Sequence, residues 1–200
     1  MSNVKIEPKY ILKLAGTLTI IAAIVAGLLG VVNGVTFEKI AAIQAEKQQM
    51  SLQAVFPDAT FEEVALDDKL TAAAAESSKT GLKAVFKAST GGYAIEVLPT
   101  GFSGAIDVIV GIDEEGAVAG ISVVSNAETA GIGTEVCKNK PNKNGDGVLS
   151  QFNGRIATAD DLFTVNAGSN KVDAISGATV TTRAITCGVN AAVLVAEQLA

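Results

Sequence analysis

Histidine and tryptophan are absent from this 200-residue sequence, and cysteine occurs only twice. Without histidine there is no Ser-His-Asp or Cys-His pair, no imidazole metal ligand and no base that titrates near neutrality. Cys137 and Cys187 lie too far apart for a CxxC redox pair or a zinc-finger spacing, and whether they bond to each other stays open. Aromatic residues are 4% of a chain that is 48% apolar. The core must therefore be built from Ala, Val, Ile and Gly, which favour close backbone packing. Cationic residues are also scarce: 15 Lys/Arg face 21 Asp/Glu, for a net charge of -6, and no basic cluster occurs. That excludes the electrostatic footprint of a nucleic-acid binder. Chemistry must come from carboxylates, hydroxyls, thiols or a bound cofactor.

What the sequence has is, first, a long apolar run. No charged residue occurs from Leu14 to Val35. As a helix this run rises about 33 Å, the thickness of a bilayer's hydrocarbon core. It exceeds the apolar region of a signal peptide, so a retained transmembrane anchor is expected. Lys5, Lys9 and Lys13 precede it, while Lys39 and Lys47 follow with Glu38 and Glu46 beside them. This bias places the N-terminus in the cytoplasm of a cell-membrane protein and the acidic remainder outside. The expected division is a cytoplasmic N-terminus over 1–13, a transmembrane helix over 14–35, a stalk helix over 36–57 and an extracytoplasmic domain over 58–200.

The stalk, Phe37–Val55, brings Ile40, Ile43, Lys47 and Met50 near one face, and Pro57-Asp58 ends it. Thr60–Leu66 reads as a short strand, and Lys69–Ser78 is Ala-rich and ambiguous. Alternation then predicts strands over Lys83–Ala88, from Tyr93, over Ala105–Ile112 and over Ala117–Val124. Gly91-Gly92 and Asp113–Gly116 are the turns between them. Adjacent hairpins argue for an antiparallel sheet and an α+β domain. Lys138–Gly147 reads as a surface loop, Leu149–Phe152 as a helical turn, and Lys171–Ile175 as a short strand. Thr179–Leu199 is a helix apolar around most of its circumference, with Thr182, Thr186, Asn190 and Glu197 as a polar stripe, so it should lie deep in the domain.

The segment from Asp173 to Thr182, DAISGATVTT, carries the chemistry. It reads as a strand passing through Gly177 into the start of that buried helix. Gly177 and Ala178 keep bulk away, and Ser176, Thr179, Thr181 and Thr182 gather hydroxyls around free N–H groups. Such a helix start suits a phosphate. The same hydroxyls equally serve as an ordinary N-cap.

The segment resembles the flavinylation motif Asp-x-x-Ser/Thr-Gly-Ala-Thr of the FMN-binding domain family. That family includes the G subunit of the Rnf ferredoxin:NAD oxidoreductase and the C subunit of the sodium-pumping NADH:quinone reductase. Glu128-Thr129-Ala130-Gly131-Ile132-Gly133 is similar to the family's Glu-Thr-Pro-Gly-Leu-Gly loop, with Ala130 in place of proline. Gly92-Tyr93 and Gly101-Phe102-Ser103-Gly104 match two further family positions, and the order of these features covers nearly the whole chain.

The resemblance implies FMN joined covalently to Thr179 through a phosphoester. Asp173, Ser176, Gly177 and Ala178 would be recognition positions, Thr181 and Thr182 would lie near the phosphate, and the Glu128, Thr129, Gly131, Ile132, Gly133 loop would lie against the flavin. No catalytic residue and no metal site is implied. The chain is expected to be an electron-transfer subunit of the Rnf complex, in ferredoxin:NAD electron transfer coupled to Na+ or H+ translocation. Its partners would be the other Rnf subunits, especially the flavinylated D subunit in the membrane, together with a flavin transferase and the lipid bilayer. Chain length favours the Rnf G subunit over the C subunit of the quinone reductase. A membrane-anchored binding or sensor module without flavin is the alternative from a different class.

Overall fold

The computed structural model describes residues 8–199, so Lys5, counted among the flanking charges, lies outside the described residues. The chain divides into two compact units, Met1–Glu46 and Lys47–Ala200. The described part of the first unit is helical throughout. It belongs to α1 (Pro8–Val55), whose apolar window has a mean hydropathy of 2.3 and is 0% buried within the chain. The Thr17 hydroxyl donates to the Leu14 carbonyl at 2.9 Å, and the Thr36 hydroxyl to the Val32 carbonyl at 2.9 Å. These polar side chains are thus satisfied inside the helix, as an apolar solvent requires.

The second unit is an antiparallel meander with helices against it. The strands β1 (Phe61–Val64), β2 (Gly81–Ala88), β3 (Tyr93–Leu98), β4 (Asp107–Ile112) and β5 (Val118–Ser125) pair in sequence order. Gly91 and Gly92 turn β2 into β3 with φ of 95° and 82°, and Gly116 sits at φ 81° between β4 and β5. Asp113 fixes that second turn, its Oδ1 accepting from the N–H groups of Glu115 and Ala117. The α+β class and these hairpins agree with the alternation pattern.

Each face of the sheet has its own core. Ile95, Val97, Ile106, Val108 and Val110 face α4 (Thr179–Leu199), where Ile185, Val189, Ala192 and Val193 are buried. The Ala-rich ambiguous stretch is α2 (Asp68–Glu76). The Asp67 carboxylate caps it by accepting from Leu70 N–H at 2.8 Å, and Leu70, Ala73 and Ala74 join this core. On the other face Leu52, Val55 and Phe56 cover Ala88, Ala94, Ile109 and Val124.

The end of α1 differs from its periodicity. Ser51, Leu52 and Val55 are buried, whereas Ile40, Ile43 and Met50 are exposed. The packed face includes polar Gln48, whose amide donates to Glu96, so hydropathy alone does not mark it. Lys47–Val55 accordingly belongs to the second unit.

Past the meander come α3 (Gly133–Cys137), a 3-10 turn (Leu149–Phe152), β6 (Thr164–Val165) and β7 (Lys171–Val172). The strand expected over Lys171–Ile175 stops at Val172, and β7 pairs with β6 in parallel. Asp173–Ala178 is irregular: the side chains of Gln151 and Asn166 take the N–H groups of Asp173 and Ala174 in place of a ladder, and Ala178 closes a turn. The polar stripe of α4 turns inward: Thr182, Thr186 and Asn190 are buried. The Asn190 side chain accepts from Phe163 N–H at 3.0 Å and donates to its carbonyl at 2.9 Å, pinning the segment before β6.

Candidate functional site

The first turn of α4 is built by its flanking residues. Ala178 N–H donates to the Ile175 carbonyl at 3.0 Å, closing a tight turn over Ser176 and Gly177. Gly177 has φ 83°, and a Cβ there would meet nothing within 4 Å. Glycine is needed for its left-handed backbone and not, as the sequence implied, to relieve crowding. Thr182 N–H is the first to reach a helical acceptor, the Ala178 carbonyl at 2.9 Å. The N–H groups of Thr179, Val180 and Thr181 therefore have no acceptor within the helix.

Thr179 is half-buried and lines two adjoining cavities, which share it and Gly177. One, of about 250 Å³, is mostly apolar and is walled by Phe102, Glu128, Thr129, Ile132, Gly133, Val180 and Thr181. The other, of about 390 Å³, is polar, with Asn142, Lys143, Asn144, Asn166, Asp173 and Ser176. Phe102, Ile132 and Val180 are 72%, 49% and 48% exposed. They account for three of the five exposed large apolar side chains described outside α1, so apolar surface is concentrated at this cavity.

The Glu128 loop forms the opposing wall. The Glu128 carboxylate is buried and accepts from Ser103 N–H at 2.9 Å and from the Thr181 hydroxyl. Gly131 adopts φ 77° and donates to the Thr134 hydroxyl at 3.0 Å, while Ile132 N–H returns to the Thr129 carbonyl. The turn around Ala130 is thus closed by hydrogen bonds where the family's loop has the fixed backbone of proline. Gly131 itself does not line either cavity.

The structure thus brings Thr179, Gly177, Ala178, Thr181, Glu128, Thr129, Ile132 and Gly133 around one cavity, with Asp173 and Ser176 in the next. Thr182 is separate: its buried hydroxyl donates to the Ala178 carbonyl at 3.0 Å, turned away from both cavities. Asp173 is held by Lys171 at 2.9 Å, by Asn144 at 3.2 Å and, through its backbone, by Gln151. Sequence reasoning missed Val180, read as core, and the Asn142–Asn144 and Asn166 wall, which carries no hydropathy signal. Phe102 had a signal, the glycines flanking it.

Cys137 and Cys187 are both free, and the Cys187 thiol donates to the Ser78 hydroxyl at 3.3 Å. Burial, and then the charge of Glu128, push the Cys137 thiol up to about 11.

A compact α+β domain with an apolar cavity at a helix start follows an apolar N-terminal helix, and both parts match known families. Residues 101–194 match the FMN-binding domain family, and residues 1–55 match the RnfG N-terminal region. Similarity to curated proteins extends over nearly the whole chain. The G subunit of the Na(+)-translocating ferredoxin:NAD(+) oxidoreductase complex of Acetobacterium woodii is 31% identical, over 98% of this chain and 97% of that protein. The G subunit of the ion-translocating oxidoreductase complex of Methanosarcina acetivorans is 29% identical over 94% and 95%, and that of Shewanella baltica 31% over 88% and 84%. The chain belongs to the family of G subunits of ion-translocating oxidoreductase complexes.

Proposed function

We propose that this chain carries FMN as a phosphoester on Thr179 and relays electrons within an ion-translocating oxidoreductase complex of the Rnf type. The observation that carries the reading is the position of Thr179: a half-buried hydroxyl at the junction of an apolar cavity and a helix start with free N–H donors. The donors and the helix dipole suit a phosphate diester. Phe102, Ile132 and Val180 suit the face of a planar apolar ring. At about 250 Å³ the cavity is smaller than the usual range for enclosed ligands, about 300–1,000 Å³, so the ring would keep an exposed edge. Such exposure fits exchange of electrons with a neighbouring carrier.

When bound, the flavin supplies the redox chemistry. The chain's own residues hold the phosphate, cover the ring and set its electrostatic surroundings, with no side chain acting as a catalytic acid or base. Attachment is a phosphoryl transfer from FAD by a flavin transferase: the Thr179 oxygen bonds to the flavin-side phosphorus, AMP leaves and the hydroxyl proton is released. Electron transfer from ferredoxin to NAD, coupled to Na+ or H+ movement, belongs to the complex.

In this reading residues 14–35 cross the cell membrane once, residues 1–13 are cytoplasmic, and 36–57 lead to an extracytoplasmic domain over 58–200. The apolar helix would pack against other subunits, the flavinylated D subunit foremost. The near-complete coverage of proteins named as G subunits favours this over the C subunit of the quinone reductase.

The test is the mass of the tryptic peptide that follows Lys171, from cells possessing the transferase. The added mass of FMN on that peptide is expected, with fragmentation placing it on Thr179. An unmodified peptide, with no ultraviolet fluorescence of the denatured chain on a gel, would leave a binding or sensor module instead.

A further inference from the structure

Glu128 is only 7% exposed, yet both carboxylate oxygens are used. One accepts from Ser103 N–H at 2.9 Å and the other from the Thr181 hydroxyl. Two glycines make room for it. A Cβ on Gly101 would lie 2.5 Å from Oε1, and one on Gly133 would strike Oε2 and come within 2.7 Å of the Thr181 hydroxyl. The carboxylate therefore ties together the Gly101–Gly104 turn, its own loop and the first turn of α4, which are three walls of the apolar cavity. Among the described residues no Lys or Arg forms an ion pair with it. Neutral donors and the start of α4 stabilise the charge but do not cancel it. A charge so placed, away from water, acts over several ångströms with little screening.

We propose that Glu128 is a positioning residue with an electrostatic role: it locks the three walls of the cavity and sets a fixed negative charge beside the flavin, holding its reduction potential low. The proposal rests on the reading that FMN occupies this cavity. Reduction places negative charge on the flavin or draws in a proton to offset it, and a fixed carboxylate opposes the added electron. The Cys137 thiol already feels the same charge, which adds to burial in pushing it up to about 11. Cys137 is thus an internal reporter that works without flavin.

The experiment uses the full chain in detergent, in a Cys187→Ser background, prepared with and without the transferase. Glu128→Gln keeps the size and both hydrogen bonds, the Thr181 hydroxyl now accepting from the amide. In the flavin-free chain its Cys137 should titrate below the parent value, read by pH-dependent alkylation; in the flavinylated chain the midpoint potential should rise. Glu128→Asp, which retains the charge, should restore both toward the parent. A Glu128→Gln chain with the parent's potential, or the parent's Cys137 titration, overturns the proposal. Should that variant not fold, Thr181→Val decides. It keeps the charge and removes one donor, so the thiol stays at or above the parent value and the potential at or below it; a raised potential overturns the assignment. A chain that never gains flavin but shows the Cys137 shift loses the cofactor reading, and the potential with it, while the charge placement stands.

Discussion

Gln151 grips the backbone of Asp173 from both sides. Its side-chain amide donates to the Asp173 carbonyl at 3.0 Å and accepts from the Asp173 N–H at 2.7 Å. This pair replaces the strand ladder that ends at Val172 and fixes the start of the segment leading to Thr179. Gln151→Ala should destabilise the domain by about 1–3 kcal/mol, the net worth of two such hydrogen bonds. Urea unfolding of the solubilised chain measures it. An unmoved midpoint would show that the grip adds no stability.

Thr179→Ala should abolish covalent flavin and leave the fold intact. The side chain is half-buried at the first helical position, so the cost should stay near ~1 kcal/mol or below. Intact mass and a thermal melt are the two readouts. Retained FMN mass would move the acceptor to Thr181 or Thr182, whose hydroxyls would first have to leave Glu128 and the Ala178 carbonyl.

Gly111 and Gly120 oppose each other across β4 and β5, and Val55 fills the notch they leave. A Cβ on Gly111 would run into Val55 Cγ1 and lie 2.9 Å from the Phe56 ring. Gly111→Ala should therefore cost about 1–3 kcal/mol by overpacking. Adding Val55→Ala should recover part of the loss, and the double-mutant cycle measures that coupling. Strictly additive losses would rule out the notch as their cause.

The fully buried Glu96 shares Lys83 with Asp107, at 2.8 and 2.6 Å respectively, and accepts from Gln48. Burial pushes its carboxyl above the ordinary 4.5; the bond from Lys83 pulls the other way, and the charge of Asp107 adds to burial. A raised folded value means that the fold prefers the protonated acid. That contribution is complete below about pH 4.5 and is lost as pH rises through the raised value. Burial alone would lower Lys83, but its bonds to Asp107 and Glu96 outweigh this and hold it above 10.5, so its contribution persists until pH passes that value. Glu96→Gln should flatten the decline in stability above pH 4.5, in unfolding midpoints taken across the acidic range. A variant curve parallel to the parent's would remove Glu96 from the account.

Strict alternation and full-circumference hydropathy made the sheet and α4 legible, because both depend on short-range patterns. The bounds of α4, the inward face of Ile106, Val108, Val110 and Ile112, and the Asp113–Gly116 turn all follow from them. The docking face of α1 did not follow, since it includes polar Gln48, half-buried against Glu96, and polar Ser51, which is buried. Nor did the parallel pairing of β6 with β7: two residues per strand carry no period. At the candidate site, motif spacing picked out Thr179 and Glu128, which line one cavity. It could not tell that the Thr181 hydroxyl is spent on Glu128 and that of Thr182 on Ala178, because rotamers are settled by neighbours distant in the chain.

The meander has a kinetic consequence. Every strand of the large sheet bonds to its predecessor; β1 reaches β2 across α2, while β2–β3 and β4–β5 close tight turns, and hairpins of this kind form in about 1–10 μs. A chain delivered from its N-terminus can zip this sheet up progressively, leaving the start of β5 to be covered later by the Gly154–Ile156 segment. The segments after β5 then pack back onto the sheet, and α4 is the last of them to emerge. The Thr179 hydroxyl and the walls facing it therefore meet in the closing event of folding, which makes a competent acceptor a signature of completed assembly.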